Sequence, residues 1–406
     1  MPDPRTATLG DLAKSGYLEI GDGYRTKRSE HGTPGLPILR VAEVQDGRIE
    51  PEFADFVSER YRSAMGPKVS RPGDVILTTK GTVGRAAIMP ADSRSFVYSP
   101  QVCYFRAHSD GPLAGHYLYY WFKSDGFWSQ ARSLKGQTDM ADYINLADIR
   151  SLEISMPAKP TQHAIVKVLS ALDDKIGVND RIIGTYEQLL RVRFEELRID
   201  ENPEHLPAGQ VSDFIEFNPA LRTPRGSEAV YLDMAAVPTD RAMVREWSRR
   251  EPKSGTRFTN GDTVMARITP CLENGKTAFI DFMEDGEVGI GSTEFIVMRA
   301  RQDIPEHLPY FLARSPRFRG YAVQNMVGSS GRQRVNAGQL TDFPLRRPDS
   351  VKLAAFGALA SKAFAHMRLL TYESGTLAEL RDTLLPRLMS GEIRVREAEK
   401  AAEEVT

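Results

Sequence analysis

The sequence predicts an α+β protein built as a tandem duplication: a mixed domain of strands and helices, then a long helix, then both again. Three observations predict it. The stretch NLADIRSLEISMP from Asn145 recurs as NAGQLTDFPLRRP from Asn336, 191 positions later. Short strand-like runs recur at nearly the same offset, the signature of an internal repeat. After each copy, apolar residues alternate steps of four and three, the mark of a helix with one buried seam.

The repeat holds its register across the chain. GRAAI at Gly84 matches GKTAF at Gly275, and HYLYYWFKSDGF at His116 matches HLPYFLARSPRF at His307, both 191 positions apart. GDVIL at Gly73 matches GDTVM at Gly261 at 188, and QVCYFRA matches EFIVMRA at 193. Chance does not hold one offset, with small loop differences, over so many positions.

Within each copy the elements follow in order. LPILRVA, DVILTT, AAIM and QVCYFR read as strands in the first, and VYLDM, DTVMAR, TAFI and EFIVMR in the second. One or two helices follow, LAGHYLYYWFKS and PEHLPYFLARS, the latter expected to start at Pro305 and Glu306. The aromatic run Tyr117, Tyr119, Tyr120, Trp121, Phe122 lies on such a helix and is read as core rather than as a base-stacking surface.

The long helices carry the seams. In the first, Ile165, Leu169, Leu172, Ile176, Asn179, Ile183, Tyr186 and Leu190 keep the rhythm. In the second, Leu353, Phe356, Ala360, Ala363, Met367, Leu370, Ser374, Leu377 and Leu384 repeat it, with Arg381 interrupting. Thr161 is the expected cap, and residues 161–198 as one helix would run roughly 57 Å. Two such helices in one chain can bury each other's stripe. Asn179 is either a register-setting polar layer or a place where the pattern drifts off the face. Gly177 and Gly184 weaken the case for an unbroken helix. The tail REAEKAAEEVT is expected to fray.

Composition fits these domains. The chain has 406 residues, 41% hydrophobic and 26% charged. Such a length suggests about two to four domains. A net charge of −1 argues against indiscriminate coating of nucleic acid but not against a local basic reading surface. The N-terminus has no apolar signal-like region, and no run approaches the ~18 apolar residues of a membrane span, so a cytoplasmic protein is expected. Cys103 and Cys271 make no disulfide framework and are read as small hydrophobes.

Enzyme signatures fail on inspection. Gly275-Lys276-Thr277 ends like a phosphate-binding loop, but Pro270 stands where its first Gly belongs and a strand pattern follows. FNPALRTP at Phe217 lacks the second Pro and the aromatic of a methyltransferase loop. Asp173 and Lys175 fit an acid-x-Lys nuclease pattern but fall inside the heptad helix, where a solvated or inter-helix charge pair is the simpler reading. The seven histidines show no zinc spacing. No catalytic or metal-binding residue is assigned. A DNA methyltransferase or nuclease with an unrecognised active site stays as the alternative, and a pure assembly scaffold as a third reading.

Several stretches resemble a known family. QTDMADYINLADIR from Gln137 and LRDTLLPRLMSGEIRV from Leu380 look like signatures of the specificity subunit of type I restriction–modification systems. STEFIVMRA and LARSPRFRGYAVQNMVGSSGRQRVN look like parts of its target-recognition domain. The resemblance implies target-recognition domains at 1–157 and 204–348, helical spacers at 158–203 and 349–396, and a charged tail at 397–406. It implies that the helices pair as an antiparallel coiled coil with pseudo-twofold symmetry, a spacer between readers of two halves of an asymmetric double-stranded DNA site. Half-sites one turn apart lie about 34 Å from centre to centre. It also implies a non-catalytic chain that recruits two methyltransferase subunits and restriction/translocase subunits. S-adenosylmethionine, ATP and Mg²⁺ would belong to those partners, with no cofactor in this chain.

Base reading needs Arg or Lys for guanine and Asn or Gln for adenine, and phosphate contacts need cations and hydroxyls. Polar loops at matching places supply candidates. TTKGTVGR offers Lys80, Thr82 and Arg85, and ARITPCLENGK offers Arg267, Thr269, Asn274 and Lys276. LKGQTDM offers Lys135, Gln137 and Thr138, and GSSGRQR offers Ser329, Ser330, Arg332, Gln333 and Arg334. GYRTKR offers Tyr24, Arg25 and Lys27, with Arg222 and Arg225 of NPALRTPR as the counterpart. For each, the competing reading is a solvated loop side chain.

Overall fold

The computed structural model describes the chain except residues 1–4, 51–54, 93, 136–142, 203–207, 223–227, 252–253, 330 and 405–406. It divides into two compact units: Met1–Asp174 with Leu377–Thr406, and Lys175–Thr376. These compact units divide each long helix, so that each mixed domain is grouped with a part of each helix.

The first unit is built on an antiparallel four-stranded sheet, in the order Leu18–Asp22, Val102–Ala107, Val75–Thr78, Ala86–Ile88. The second unit repeats it with Ile215–Phe217, Phe295–Ala300, Thr263–Ala266, Thr277–Phe279. The central strands are buried along their length, as their near-continuous apolar sequences require. Sequence periodicity missed Leu18–Asp22 and Ile215–Phe217. Both are edge strands containing acidic residues, so their apolar alternation is too short to show.

The stretch that opens the repeat closes each domain. Asn145 Oδ1 accepts from the Ala147 and Asp148 N–H groups at 2.8 and 2.9 Å, starting helix Leu146–Ser151. Strand Glu153–Met156 then pairs with Arg5–Thr8 at the start of its own domain. In the second copy, Asn336 Oδ1 accepts from Gly338 N–H at 3.1 Å, and Pro344–Arg346 pairs with Ala208–Gln210. The cap turns the chain back so that the closing strand can join the opening one.

Matching buried ion pairs brace the two sheets. Asp74 is 2% exposed and binds the Arg106 guanidinium at 2.7 and 3.0 Å. Asp262, 1% exposed, binds Arg299 at 2.7 Å through both oxygens. Each carboxylate also accepts a backbone N–H at 2.8 Å, from Arg71 and from Thr259.

The aromatic helix Gly115–Lys123 buries Tyr117 to Phe122 as core. Its counterpart starts later than expected, at Leu308, with His307 at the cap. The first long helix also departs from expectation. It runs Lys159–Glu196, two residues earlier at each end; it can start early because Pro160 lies in the first turn, where a missing N–H costs no helical bond. Gly177 and Gly184 do not break it. The second long helix runs Ser350–Ser390 with Pro386 inside its last turns. The tail expected to fray is helical over Val395–Glu403, with Ala398 fully buried.

The seam residues Ile165, Leu169, Leu172, Ile183, Leu353, Phe356, Met367, Leu370, Leu377 and Leu384 are buried, and Ile176 is half-buried. Pairings in the second unit run Asn179 with Ser374, Tyr186 with His366, and Phe194 with Phe356, so the helices are antiparallel there. Asn179, 1% exposed, donates to Glu373 Oε2 at 2.6 Å and Ser374 Oγ at 3.2 Å. It is a polar layer and not a drift of the pattern. Lys175 pairs with Glu373 at 3.3 Å. In the first unit, Arg381 breaks the apolar rhythm because it meets Asp173 at 2.7 Å. The acid-x-Lys pattern is thus a pair of inter-helix ion pairs.

Candidate nucleic-acid interface

In each unit the loop after the central strand pairs with the segment before the capping Asn. Thr79 N–H donates to Gln101 O at 2.9 Å, and Ile144 N–H donates to Thr79 O at 3.0 Å. In the second unit, Arg267 N–H donates to Glu294 O at 2.9 Å, and Val335 N–H to Arg267 O at 3.0 Å. Isolated bridges join Lys80 to Tyr143 and Ile268 to Arg334. Every partner is the repeat equivalent of its counterpart. The backbone frame is therefore duplicated, and four equivalent positions carry different side chains: Thr79, Lys80, Gln101 and Tyr143 in one unit, and Arg267, Ile268, Glu294 and Arg334 in the other.

The frame joins two of the expected loops in the second unit. Thr269 N–H and Oγ1 both donate to Gln333 O, at 3.1 and 3.3 Å. Val327 and Arg334 exchange backbone bonds at 2.9 Å, closing a tight hairpin that carries Ser329 and Arg332, both exposed. Gly328 at φ 135° and Gly331 at φ 78° supply the backbone conformations this turn needs. Asn274 is exposed, in the same loop as Thr269.

Other candidates are tied into their own domains. Lys276 Nζ donates to Met234 O at 2.7 Å and Ala235 O at 3.3 Å. Lys276 leads directly into strand Thr277–Phe279, so no phosphate-binding helix follows. Arg85 Nη1 donates to Val44 O at 3.2 Å. Arg334 is held by Glu294 at 2.7–2.9 Å. That carboxyl sits below its ordinary pKa chiefly because Arg334 hydrogen-bonds it. Arg267 Nε is buried and has no hydrogen-bond partner among the described residues.

In the first unit, Lys80 is exposed and stands 5.8 Å from the Tyr143 ring centroid. Thr82 is exposed while its carbonyl accepts from Thr78 Oγ1 at 2.5 Å. Tyr24 is half-buried, its N–H donating to Tyr98 O at 2.7 Å, and Arg25 and Lys27 are exposed. Arg222 is exposed in the second unit. Gln137, Thr138, Arg225 and Ser330 lie outside the described residues, as does the side chain of Lys135. Among the described residues no group of three or more His, Cys, Asp or Glu side chains could hold a metal ion, and no helix is long and apolar enough to cross a membrane.

Residues 6–187 match the family described as Type I restriction modification DNA specificity domain. This stretch of the chain therefore carries the type I restriction–modification DNA specificity domain. The chain is 30% identical over 303 residues to the type I restriction enzyme EcoEI specificity subunit of Escherichia coli, covering 68% of this chain and 50% of that one. Over 152 residues it is 31% identical to the EcoAI specificity subunit of the same species, covering 34% and 25%. The chain thus aligns with half, or less, of the length of these relatives. The crystal structure of a type I restriction–modification S subunit from M. genitalium shares the fold, at TM-score 0.55 and 13% identity over 95% of both chains.

Sequence reading missed Gln101 and Glu294, the acceptors of the frame. The signal was present, because the offset of 193 between QVCYFRA and EFIVMRA aligns these two residues. Neither lies in a Gly-containing polar loop, the feature that marks the other candidates.

Proposed function

We propose that this chain is the DNA-reading subunit of a type I restriction–modification complex, with each mixed domain recognising one half of a bipartite, asymmetric duplex site. The observation that carries this reading is the duplicated backbone frame with unlike side chains at equivalent positions. A shared frame presents a reading surface in the same way twice, and different side chains select different bases. On this reading the paired helices space the half-sites, and the chain contributes no catalytic group. Two methyltransferase subunits and the restriction/translocase subunits dock on it, bringing S-adenosylmethionine, ATP and Mg²⁺ with them.

The test is selection of duplexes by the purified full chain from a randomised library, followed by titration of the selected site at several salt concentrations. The expected result is a motif in two fixed blocks separated by a spacer. Affinity should fall steeply with salt, log K dropping by about 0.9 per phosphate neutralised. Enrichment of no motif, with weak binding to all duplexes, would overturn the reading.

A further inference from the structure

The charge arrangement at the second unit's frame singles out one base contact, and the inference rests on the DNA-reading function proposed above. Arg334 and Glu294 are 40 positions apart and meet where the loop after strand Thr263–Ala266 bridges the hairpin Val327–Arg334. Glu294 takes the Nε and Nη2 edge of the guanidinium, with contacts at 2.9, 2.9 and 2.7 Å. Nη1 makes a longer bond to Arg332 O at 3.3 Å. A guanidinium carries five N–H donors, two on each terminal nitrogen and one on Nε. These partners account for three of them and leave one N–H on each terminal nitrogen.

One N–H on each terminal nitrogen thus stays available, and an arginine edge made of one N–H from each terminal nitrogen matches guanine O6 and N7. The Arg334 side chain is 40% exposed and that of Glu294 is 25% exposed, so the pair lies at the surface. A long arginine side chain free in solvent loses rotamer entropy on binding, and one already clamped in plane loses less. A clamped guanidinium also has a fixed edge direction, which is what base discrimination needs. Arg267 reinforces the positive field here and helps hold the Glu294 carboxylate ionised. In the first unit, Gln101 and Tyr143 occupy the equivalent positions, so the same device is absent from that frame.

We infer that Arg334 is a specificity-determining residue that reads a guanine in the half-site of the second domain, and that Glu294 is its positioning residue. The first domain does not use its equivalent position in this way.

The experiment is the same duplex selection with the wild-type full chain and with Arg334→Lys, Glu294→Gln and the exchanged pair Glu294→Arg/Arg334→Glu. Unfolding midpoints are measured for each. Arg334→Lys keeps the charge but loses the two-pronged edge. Preference for guanine over the other bases should fall by about 10- to 100-fold at one position of one block, with every other position unchanged. Glu294→Gln should lower the same preference at the same position. The exchanged pair can restore the ion pair and the wild-type unfolding midpoint, yet it should lose the guanine. If the exchanged pair or Arg334→Lys keeps the wild-type motif, the pair is a structural brace and the inference is wrong, while the DNA-reading function stands. A wild-type chain that selects no motif overturns both.

Discussion

At the scale of single residues, the strongest structural commitments are buried charges that the fold has paired. Asp74 lies in the sheet interior with Arg106 beside it and the Tyr98 hydroxyl donating at 2.6 Å. Arg106→Met would strand that carboxylate in a dry site. Chemical denaturation should show a loss of about 3–5 kcal/mol. Arg299→Met should cost less, because the Arg299 side chain is 31% exposed against 8% for Arg106. Asp281 gives a pH signature. Burial, with Glu306 nearby, raises its carboxyl from 3.8 to about 7 against the opposing pull of Arg368. The folded protein therefore holds a proton there that the unfolded chain releases. The resulting stabilisation is complete below about pH 4 and is lost as pH rises through about 7. Asp281→Asn keeps the neutral form at every pH. Its unfolding midpoint should match wild type near pH 4 and exceed it at pH 8, by on the order of 1 kcal/mol after solvent screening. Equal midpoints at both pH values would show that folding does not raise this carboxyl's pKa.

At the scale of elements, the long helices combine an apolar seam with polar layers at defined heights. Each domain is tied to its helix by a carboxylate. Asp173 accepts from the Tyr120 hydroxyl at 2.8 Å, and Glu187 from the Tyr310 hydroxyl at 3.2 Å and Ala242 N–H at 2.6 Å. Burial raises the Glu187 pKa above its ordinary value. Gly177 and Gly184 are exposed, and a Cβ at either would meet nothing within 4 Å. Their presence costs helix stability without a packing return. Gly177→Ala and Gly184→Ala should each raise stability by about 0.5–1 kcal/mol, additively, in thermal unfolding followed by circular dichroism. A loss of stability in either variant would mean that the helix surface there is constrained in a way the packing does not show.

At the scale of the whole molecule, each mixed domain has its own sheet, its own buried ion pair and its own loop frame. Base selection should therefore partition by domain. Arg332→Ala with Gln333→Ala should relax bases only in the half-site read by residues 204–348, and Lys80→Ala only in the other. A base contact should cost about 1–3 kcal/mol at one base pair. A phosphate contact should weaken all sequences alike and reduce the salt slope by about one. The measurement is duplex selection with both half-sites randomised. A substitution in one domain that changed base preference in both half-sites would point to a single composite reading surface and contradict the two-reader proposal.

The sequence by itself determined the duplication, the long helices and their seams. These are local patterns: a heptad step and a strand-length apolar run. It also marked the polar loops, because Gly and polar residues mark where the backbone turns away from the core. Tertiary structure alone decided which side chain in those loops is free and which is committed. Arg334 faces Glu294 across 40 positions, and Lys276 turns into the carbonyls of Met234 and Ala235. An arginine or lysine looks the same in sequence whether it meets solvent, a nucleobase or a buried carboxylate. Its role is set by partners that the topology brings within hydrogen-bond reach, and those partners lie too far away in the chain for any local pattern to carry them.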